Sequence, residues 1–395
     1  MNDTELTNEA VGILVSGGLS SVAVAAYLAE HCASVSCYVA DIGQPGALTP
    51  ARVTELLGAH GLRARLVDLR DLMADRCADL VRYQATYDGG YWNTTSASRE
   101  VLVAGLAKIL HDDGRTVLAH GCVGGGNDQR RFARYAAVLA PELRVFAPWT
   151  ARWMLDRFPD RDSMASYLGS LGFPGELTSL ADYSVDGNLG GCSHESAELE
   201  SLRTPAFDHM TPLMTTWPQQ GTAAGPEGFT VRFAAGRPVG IGGRPVTPVE
   251  AISQANDVGG RAGIPPLSVV ENRVNGTKCR GVYEAPGLEL LGRCLGYLYQ
   301  ACLDTPASAL LRSLSGALSS AVYEGRLHDQ ASAAARAAAD LLARAATGEV
   351  EVDLYGGSIM LRGIDDSSAT AWQTRFGNGG HQWRTEWRYR EKYPG

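Results

Sequence analysis

The chain has 395 residues, 45% hydrophobic and 20% charged, with a formal net charge of −8. That length suits two domains with a core large enough to need no disulfide staples. The acidic balance argues against nucleic acid as the main partner, since phosphate backbones select basic surfaces, although a local basic site for a small anion remains compatible with it.

Val11–Val15 is a short apolar run of the kind expected for a strand buried on both faces. Ser16-Gly17-Gly18 breaks it, and an alanine-rich helical stretch follows to about His31. Val35–Val39 reads as the next strand, and Pro50–His60 as a helix with proline at its start. Arg65–Asp68, Thr116–Ala119 and Leu143–Phe146 are further strands, with helices over Ser98–His111 and Asp128–Val138 between them. This order predicts an α/β fold: a parallel sheet with helices on both faces and ligands beyond the carboxyl ends of the strands. From about Pro174 glycines and prolines become frequent, with short strands such as Phe229–Phe233. Leu288–Leu303 and Pro306–Leu342 then read as helices, with Ala331–Ala346 as a surface helix. Val350–Leu361 reads as a closing hairpin that turns at Gly356-Gly357. The predicted division is 1–172, a parallel-sheet α/β domain, 173–365, an α+β domain, and a C-terminal tail, 366–395.

Eight cysteines without a C-x-x-C pair predict reduced thiols and no zinc or other metal cage. The acidic N-terminus does not resemble a signal peptide, and no apolar run approaches membrane-spanning length, so the expectation is a cytoplasmic protein with no membrane partner.

The segment Ile13-Leu14-Val15-Ser16-Gly17-Gly18-Leu19-Ser20-Ser21 carries the first chemical signal. Glycines at a strand-to-helix turn let free backbone N–H groups face an anion, and the helix dipole adds to the attraction. It lacks the G-K-[ST] of a Walker A loop and the G-x-G-x-x-G of a dinucleotide fold. It resembles the Ser-Gly-Gly-x-Asp-Ser pyrophosphate loop of ATP pyrophosphatases, although by itself it also suits a plain tight turn.

Further blocks follow in order: Tyr38-Val39-Ala40-Asp41-Ile42-Gly43-Gln44, then Tyr91-Trp92-Asn93-Thr94-Thr95-Ser96. Next comes His120-Gly121-Cys122-Val123-Gly124-Gly125-Gly126-Asn127-Asp128-Gln129-Arg130-Arg131-Phe132, with Ala147-Pro148-Trp149 beyond it. Last are Tyr183-Ser184-Val185-Asp186-Gly187-Asn188-Leu189 and Val270-Glu271-Asn272-Arg273, continuing through Lys278-Cys279-Arg280-Gly281-Val282-Tyr283-Glu284. Through these blocks the chain resembles the argininosuccinate synthase family over roughly residues 10 to 365.

The resemblance implies an ATP-pyrophosphatase-type domain followed by a synthetase domain, with the tail from Phe376 as a tetramer-forming arm. It implies ATP contacts at Ser16, Gly17, Gly18, Ser20, Ser21, Ala40, Gly121 and Gly124, with magnesium carried on the phosphates. Citrulline contacts carry over to Tyr91, Ser96, Arg131, Ser184, Ser193, Glu271 and Tyr283, and aspartate contacts to Thr95, Asn127 and Asp128. Ser16, Asn127 and Asp128 are the implied catalytic residues, Asp128 as a group that orients the amine or accepts its proton. The expected reaction adenylates a ureido oxygen and then couples an amine to that carbon. Four positions depart from the pattern: Ser20 replaces an Asp, Val22 a Ser, Val123 a Thr and Gly125 a Lys. Val123 and Gly125 remove polar reach toward an anionic amino acid and point to an amine other than aspartate or to weakly bound aspartate, unless neighbouring groups compensate. Ser20 and Val22 motivate a third possibility, a ligand-binding member without ATP turnover. A tRNA-modifying pyrophosphatase shares only the loop and is disfavoured by the downstream blocks.

Overall fold

The computed structural model describes residues 6–123, 126–178, 184–216 and 226–365. The chain begins with β1 (Ala10–Leu14), α1 (Leu19–His31), β2 (Ser34–Asp41), α2 (Pro50–Ala59), β3 (Ala64–Asp68) and α3 (Arg70–Arg82). It continues through α4 (Thr94–Asp112), β4 (Val117–His120), α5 (Asp128–Leu139), β5 (Arg144–Phe146) and α6 (Arg161–Ser170). The five strands form one sheet in the order β3-β2-β1-β4-β5, and every pair is parallel. Val11, Ile13, Val39 and Val117 are buried with the inner faces of α1 and α2, which is why these strands read as unbroken apolar runs.

The second half starts with the hairpin β6 (Ser184–Asn188) and β7 (Gly191–Glu195), then β8 (Glu227–Ala234), β9 (Arg237–Ile241) and β10 (Arg244–Pro245). α7 (Pro248–Arg261), β11 (Leu267–Asn272), β12 (Lys278–Glu284) and α8 (Pro286–Cys302) follow. The described chain closes with α9 (Thr305–Glu324), α10 (Gln330–Ala343), β13 (Gly348–Tyr355) and β14 (Ser358–Asp365). One antiparallel sheet has the order β10-β9-β8-β13-β14, and a smaller one the order β11-β12-β7-β6.

Leu14, Met73 and Leu106 share one connected apolar cluster with Phe229, Phe233, Leu291 and Leu354, so the two halves have a continuous core. Polar ties cross the same boundary. The Tyr299 hydroxyl donates to the Arg82 carbonyl at 2.6 Å, and Trp92 Nε1 donates to Glu289 at 3.0 Å.

Several predicted elements change in extent. The helical stretch Pro306–Leu342 is two helices, because Gly325 caps α9 in a left-handed conformation (φ +75°). α10 is a surface helix as expected, with Ala335, Ala339 and Ala343 burying its inner face. The hairpin turn at Gly356-Gly357 lies where expected, but its strands run further, to Gly348 and Asp365. The tail, with the expected oligomerisation arm, lies outside the described residues. Among the described residues no helix is long and apolar enough to cross a membrane.

Candidate functional site

The loop after β1 closes on itself through two serines. Gly17 takes φ +87°, turning the chain sharply into α1. The Ser21 hydroxyl donates to the Gly18 carbonyl at 2.8 Å and accepts from the Ser16 N–H at 3.2 Å. It also lies 3.2 Å from the Ser16 hydroxyl, which in turn accepts from the Gly18 N–H at 3.3 Å. Gly18 caps α1 without a side-chain hydrogen bond, leaving the first N–H groups of a 13-residue helix for an anion. Val22 is fully buried in the core beneath α1, so its side chain does not face the loop. Ser20 is half-buried.

The adjacent strand supplies the loop's neighbour. Leu14 pairs with His120, and a Cβ on Gly121 would stand 2.5 Å from Ser21 Cα. Gly121 is thus the residue that lets the two loops touch. His120 is buried, stacked on Phe132 at 4.5 Å, and burial pushes its imidazole down to about 4. Ala40 is buried at the end of β2, where its carbonyl accepts from Gln44 Nε2 at 3.0 Å. Gly124 and Gly125 lie outside the described residues.

The small sheet presents a single functional face. Cross-strand register puts Ser184 beside Glu195, Asp186 beside Ser193, Ser193 beside Tyr283, and Glu271 beside Cys279. With side chains alternating at period two, Ser184, Asp186, Ser193, Glu195, Tyr283 and Glu271 all share that face. It meets the start of α4: Thr95 Oγ1 donates to Ser193 Oγ at 3.3 Å, and Tyr91 stacks on Tyr283 at 3.8 Å. The Tyr91 hydroxyl also accepts from the Thr95 N–H at 3.0 Å. Ser96 is fully buried, with no hydrogen-bond partner for its hydroxyl among the described residues. α4 is entered through Asn93 in the left-handed region (φ 56°), a conformation Asn tolerates better than most residues. Its side chain donates to the carbonyls of Ala85 and Ser319 at 3.2 Å.

Tyr323, which no sequence signal distinguished from an ordinary core tyrosine, joins these parts. Its hydroxyl donates to Glu271 at 2.7 Å and accepts from Asn127 Nδ2 at 2.9 Å. Its ring stacks on Tyr87 at 3.7 Å and lies under the Arg131 guanidinium at 4.8 Å. The other Glu271 oxygen accepts from the Tyr283 hydroxyl at 2.8 Å. Burial, then the negative charge of Glu271, holds Tyr323 above the usual phenol range; burial, then Tyr91 and Glu271, does the same for Tyr283.

Asp128 is held on both sides. Arg131 Nη1 donates to one oxygen and Arg99 Nη2 to the other, each at 2.8 Å. Burial works against ionisation, but the two guanidiniums dominate and keep the carboxyl well below the usual range. The expected proton-accepting role is therefore poorly matched to this residue; an orienting role fits it. Arg99 Nη2 also bonds Asp186 across from β6, joining the two halves. Asn127 binds the Val274 N–H through Oδ1 at 2.9 Å. Of the seven expected citrulline contacts, Tyr91, Ser96, Arg131, Ser193 and Glu271 are buried, Tyr283 is half-buried and Ser184 is exposed at the sheet edge. Val123 exposes 65% of its surface. Arg99, Asp186, Glu195, Tyr87 and Tyr323 were not assigned roles from the sequence.

The reverse face of the small sheet has a different task. His194 Nε2 lies 2.7 Å from Glu284 Oε1, with Cys192 Sγ 3.5 Å from the same oxygen. Glu284 also accepts from the N–H groups of Leu213, Met214 and Thr215 at 2.8–2.9 Å. Its oxygens are filled, so this cluster pins segment 213–215 to β12. Burial raises the Glu284 carboxyl, but His194 and the N–H donors outweigh it and leave it lowered. A lowered carboxyl contributes stability that is present above its unfolded pKa and lost as pH falls through its folded one. Glu284→Gln should therefore cost about 2–3 kcal/mol at neutral pH. In urea melts that deficit should vanish below the ordinary carboxylate range; a deficit constant with pH would contradict this.

Comparison with known proteins adds an independent result. A family model described as Arginosuccinate synthase N-terminal HUP domain matches residues 10–174, and one described as Arginosuccinate synthase C-terminal domain matches residues 183–374. A curated relative from Rhodopirellula baltica, described as Argininosuccinate synthase, is 32% identical over 347 residues, covering 88% of this chain and 86% of that one. A solved structure described as a predicted subunit of tRNA methyltransferase from Methanocaldococcus jannaschii is 14% identical with a TM-score of 0.27, covering 42% of this chain and 90% of that one.

Proposed function

This chain belongs to the argininosuccinate synthase family, and we propose that it is an ATP-dependent ligase acting on citrulline or a close analogue. The ureido oxygen attacks the α-phosphate of ATP, pyrophosphate leaves, and an amine, aspartate by default, then displaces AMP. The observation that carries this reading is the single sheet face of Ser193, Tyr283 and Glu271 set against Thr95 and Tyr91, with Tyr323 tying Glu271 to Arg131.

A ureido carbon is unreactive because its nitrogens feed charge onto it, so the oxygen must first become a leaving group. Glu271, fixed by two tyrosine hydroxyls, suits the ammonium of the amino-acid end. Arg131, fixed by Asp128 and the Tyr323 carbonyl, suits the carboxylate. The unsatisfied Ser96 hydroxyl is available to a polar ligand. The loop from Ser16 to Ser21 offers preset N–H donors for pyrophosphate, and holding both substrates together supplies proximity. The loop contains no carboxylate, so magnesium fits as an ion bound to the nucleotide phosphates and water, where it would offset their charge. Cytoplasmic localisation and a tetramer formed through the 366–395 arm belong to the same proposal.

The exposed Val123 favours a second reading, a specialised member using another amine. Pyrophosphate release from Mg-ATP should require citrulline, and turnover with aspartate beside a panel of other amines identifies the nucleophile. If aspartate is the substrate, Val123→Thr should lower its KM roughly fivefold, the value of one added hydrogen bond. An unchanged KM favours the other amine, and no pyrophosphate release from folded, citrulline-binding protein would sink the ligase reading.

A further inference from the structure

We propose that Glu195 is the general base that takes the proton from the amine nucleophile, a role that rests on the ligase reading above. Glu195 ends β7 on the functional face, two residues beyond Ser193 and directly across from Ser184. Thr95, one of the residues expected to contact the amine, packs on the same face, its Oγ1 donating to Ser193 Oγ at 3.3 Å. The charged and titratable groups facing it are Arg99 on α4, Cys122 after β4, Asp128 on α5, Asp186 on β6 and Arg273 after β11.

The other candidates are already committed. Asp128 is held by two guanidiniums, Asp186 by Arg99, and Glu271 by two tyrosine hydroxyls. His120 is buried and too weakly basic. Glu195 instead is exposed to solvent at the end of its strand. Partial desolvation, then the negative charges of Asp128 and Asp186, push it up to about 7, against the pull of Arg99 and Arg273. A base matched to neutral pH combines sufficient basicity with the right protonation state.

The step balances without any further reactant. Adenylation leaves a cationic isourea that passes an N–H proton to the departing pyrophosphate; the ammonium then transfers one proton to Glu195, and the resulting amine adds to the carbon of the neutral O-adenylated isourea. A C–N bond forms and the C–O bond to AMP breaks, its electron pair leaving on the phosphate oxygen. The product is the guanidinium cation, and Glu195 releases its proton to solvent.

Citrulline-dependent exchange of labelled pyrophosphate into ATP reads adenylation, and AMP formation with aspartate, or with the amine the panel identifies, reads coupling. Glu195→Gln should lower coupling about 100- to 10,000-fold while exchange falls less than tenfold. The acid limb of the wild-type kcat/KM profile, near pH 7, should disappear in the variant. Hydroxylamine, largely unprotonated at neutral pH, should narrow the gap between the two proteins, and Glu195→Asp should fall between them. Equal loss of exchange and coupling, or coupling within tenfold of wild type, overturns the role of Glu195. Wild-type protein without citrulline-dependent exchange overturns the ligase reading itself, and the base with it.

Discussion

Replacing Arg99 with methionine will lower the unfolding free energy by about 3 kcal/mol and abolish coupling. The side chain is buried and bonds Asp128 and Asp186, carboxylates from the two halves of the chain. Removing one partner of a buried ion cluster typically costs about 3–5 kcal/mol, and the partial exposure of both carboxylates argues for the lower end. Asp186 gives the effect its pH signature. Burial, aided by the nearby charge of Asp128, already holds its carboxyl above the usual range despite Arg99. For such a group the ionised form costs stability at neutral pH, and the cost disappears as pH falls through the folded-state pKa. The deficit of Arg99→Met in urea melts should therefore be smaller at about pH 5 than at about pH 7.5. Adding Asp186→Asn should recover a substantial part of it, because that removes the second unpaired charge. A pH-independent deficit that Asp186→Asn fails to relieve would show that lost packing, not charge, sets the cost.

Gly121→Ala should reduce ATP-dependent pyrophosphate release about 100-fold or more. The added Cβ would meet Ser21 at Cα, Cβ and N, at 2.5, 2.6 and 2.9 Å. Two of those atoms belong to the backbone, so no flexible side-chain tip can move aside. Ser21 organises the loop through its bonds to Ser16 and Gly18, and its displacement carries the loop's N–H donors with it. A shift of about 1 Å in a positioned group can cost about 100-fold in rate. Gly58→Ala, in α2 with open space around it, is the matched control and should leave activity intact. A Gly121→Ala protein with wild-type KM for ATP and wild-type turnover would mean the loop tolerates the shift.

The first half of the fold was readable because its physics is local. Strands buried on both faces are apolar runs, and Ser16-Gly17-Gly18 marks where the first one ends. The small functional sheet was not readable, since β6 (SVDGN) and β7 (GCSHE) are polar, glycine-containing strands whose side chains serve the site instead of a core. α7 was missed although Thr247-Pro248-Val249-Glu250 forms a capping box with proline at its first helical position. The positions expected to contact citrulline come from the resemblance alone, residue by residue. Arg99, Asp186, Glu195 and Tyr323 were not, because each gains its role from partners distant in sequence; Asn127 and Tyr323 are 196 residues apart. The Ser20 and Val22 substitutions also weigh less than they did, since Ser21 carries the loop's hydrogen bonds and Val22 belongs to the core.

The position of Tyr323 has a consequence for the growing polypeptide. Asn127, Arg131 and Glu271 leave the ribosome well before α9, yet each is fixed by a bond to Tyr323. Chains are extended at about 5–20 residues per second, so the parallel sheet has several seconds to fold before that tyrosine arrives. A nascent protein can therefore present a formed loop after β1 while the proposed amino-acid pocket is still unassembled. On the proposed function, capture of a ureido substrate would then await α9, and fragments ending before α9 should lack it.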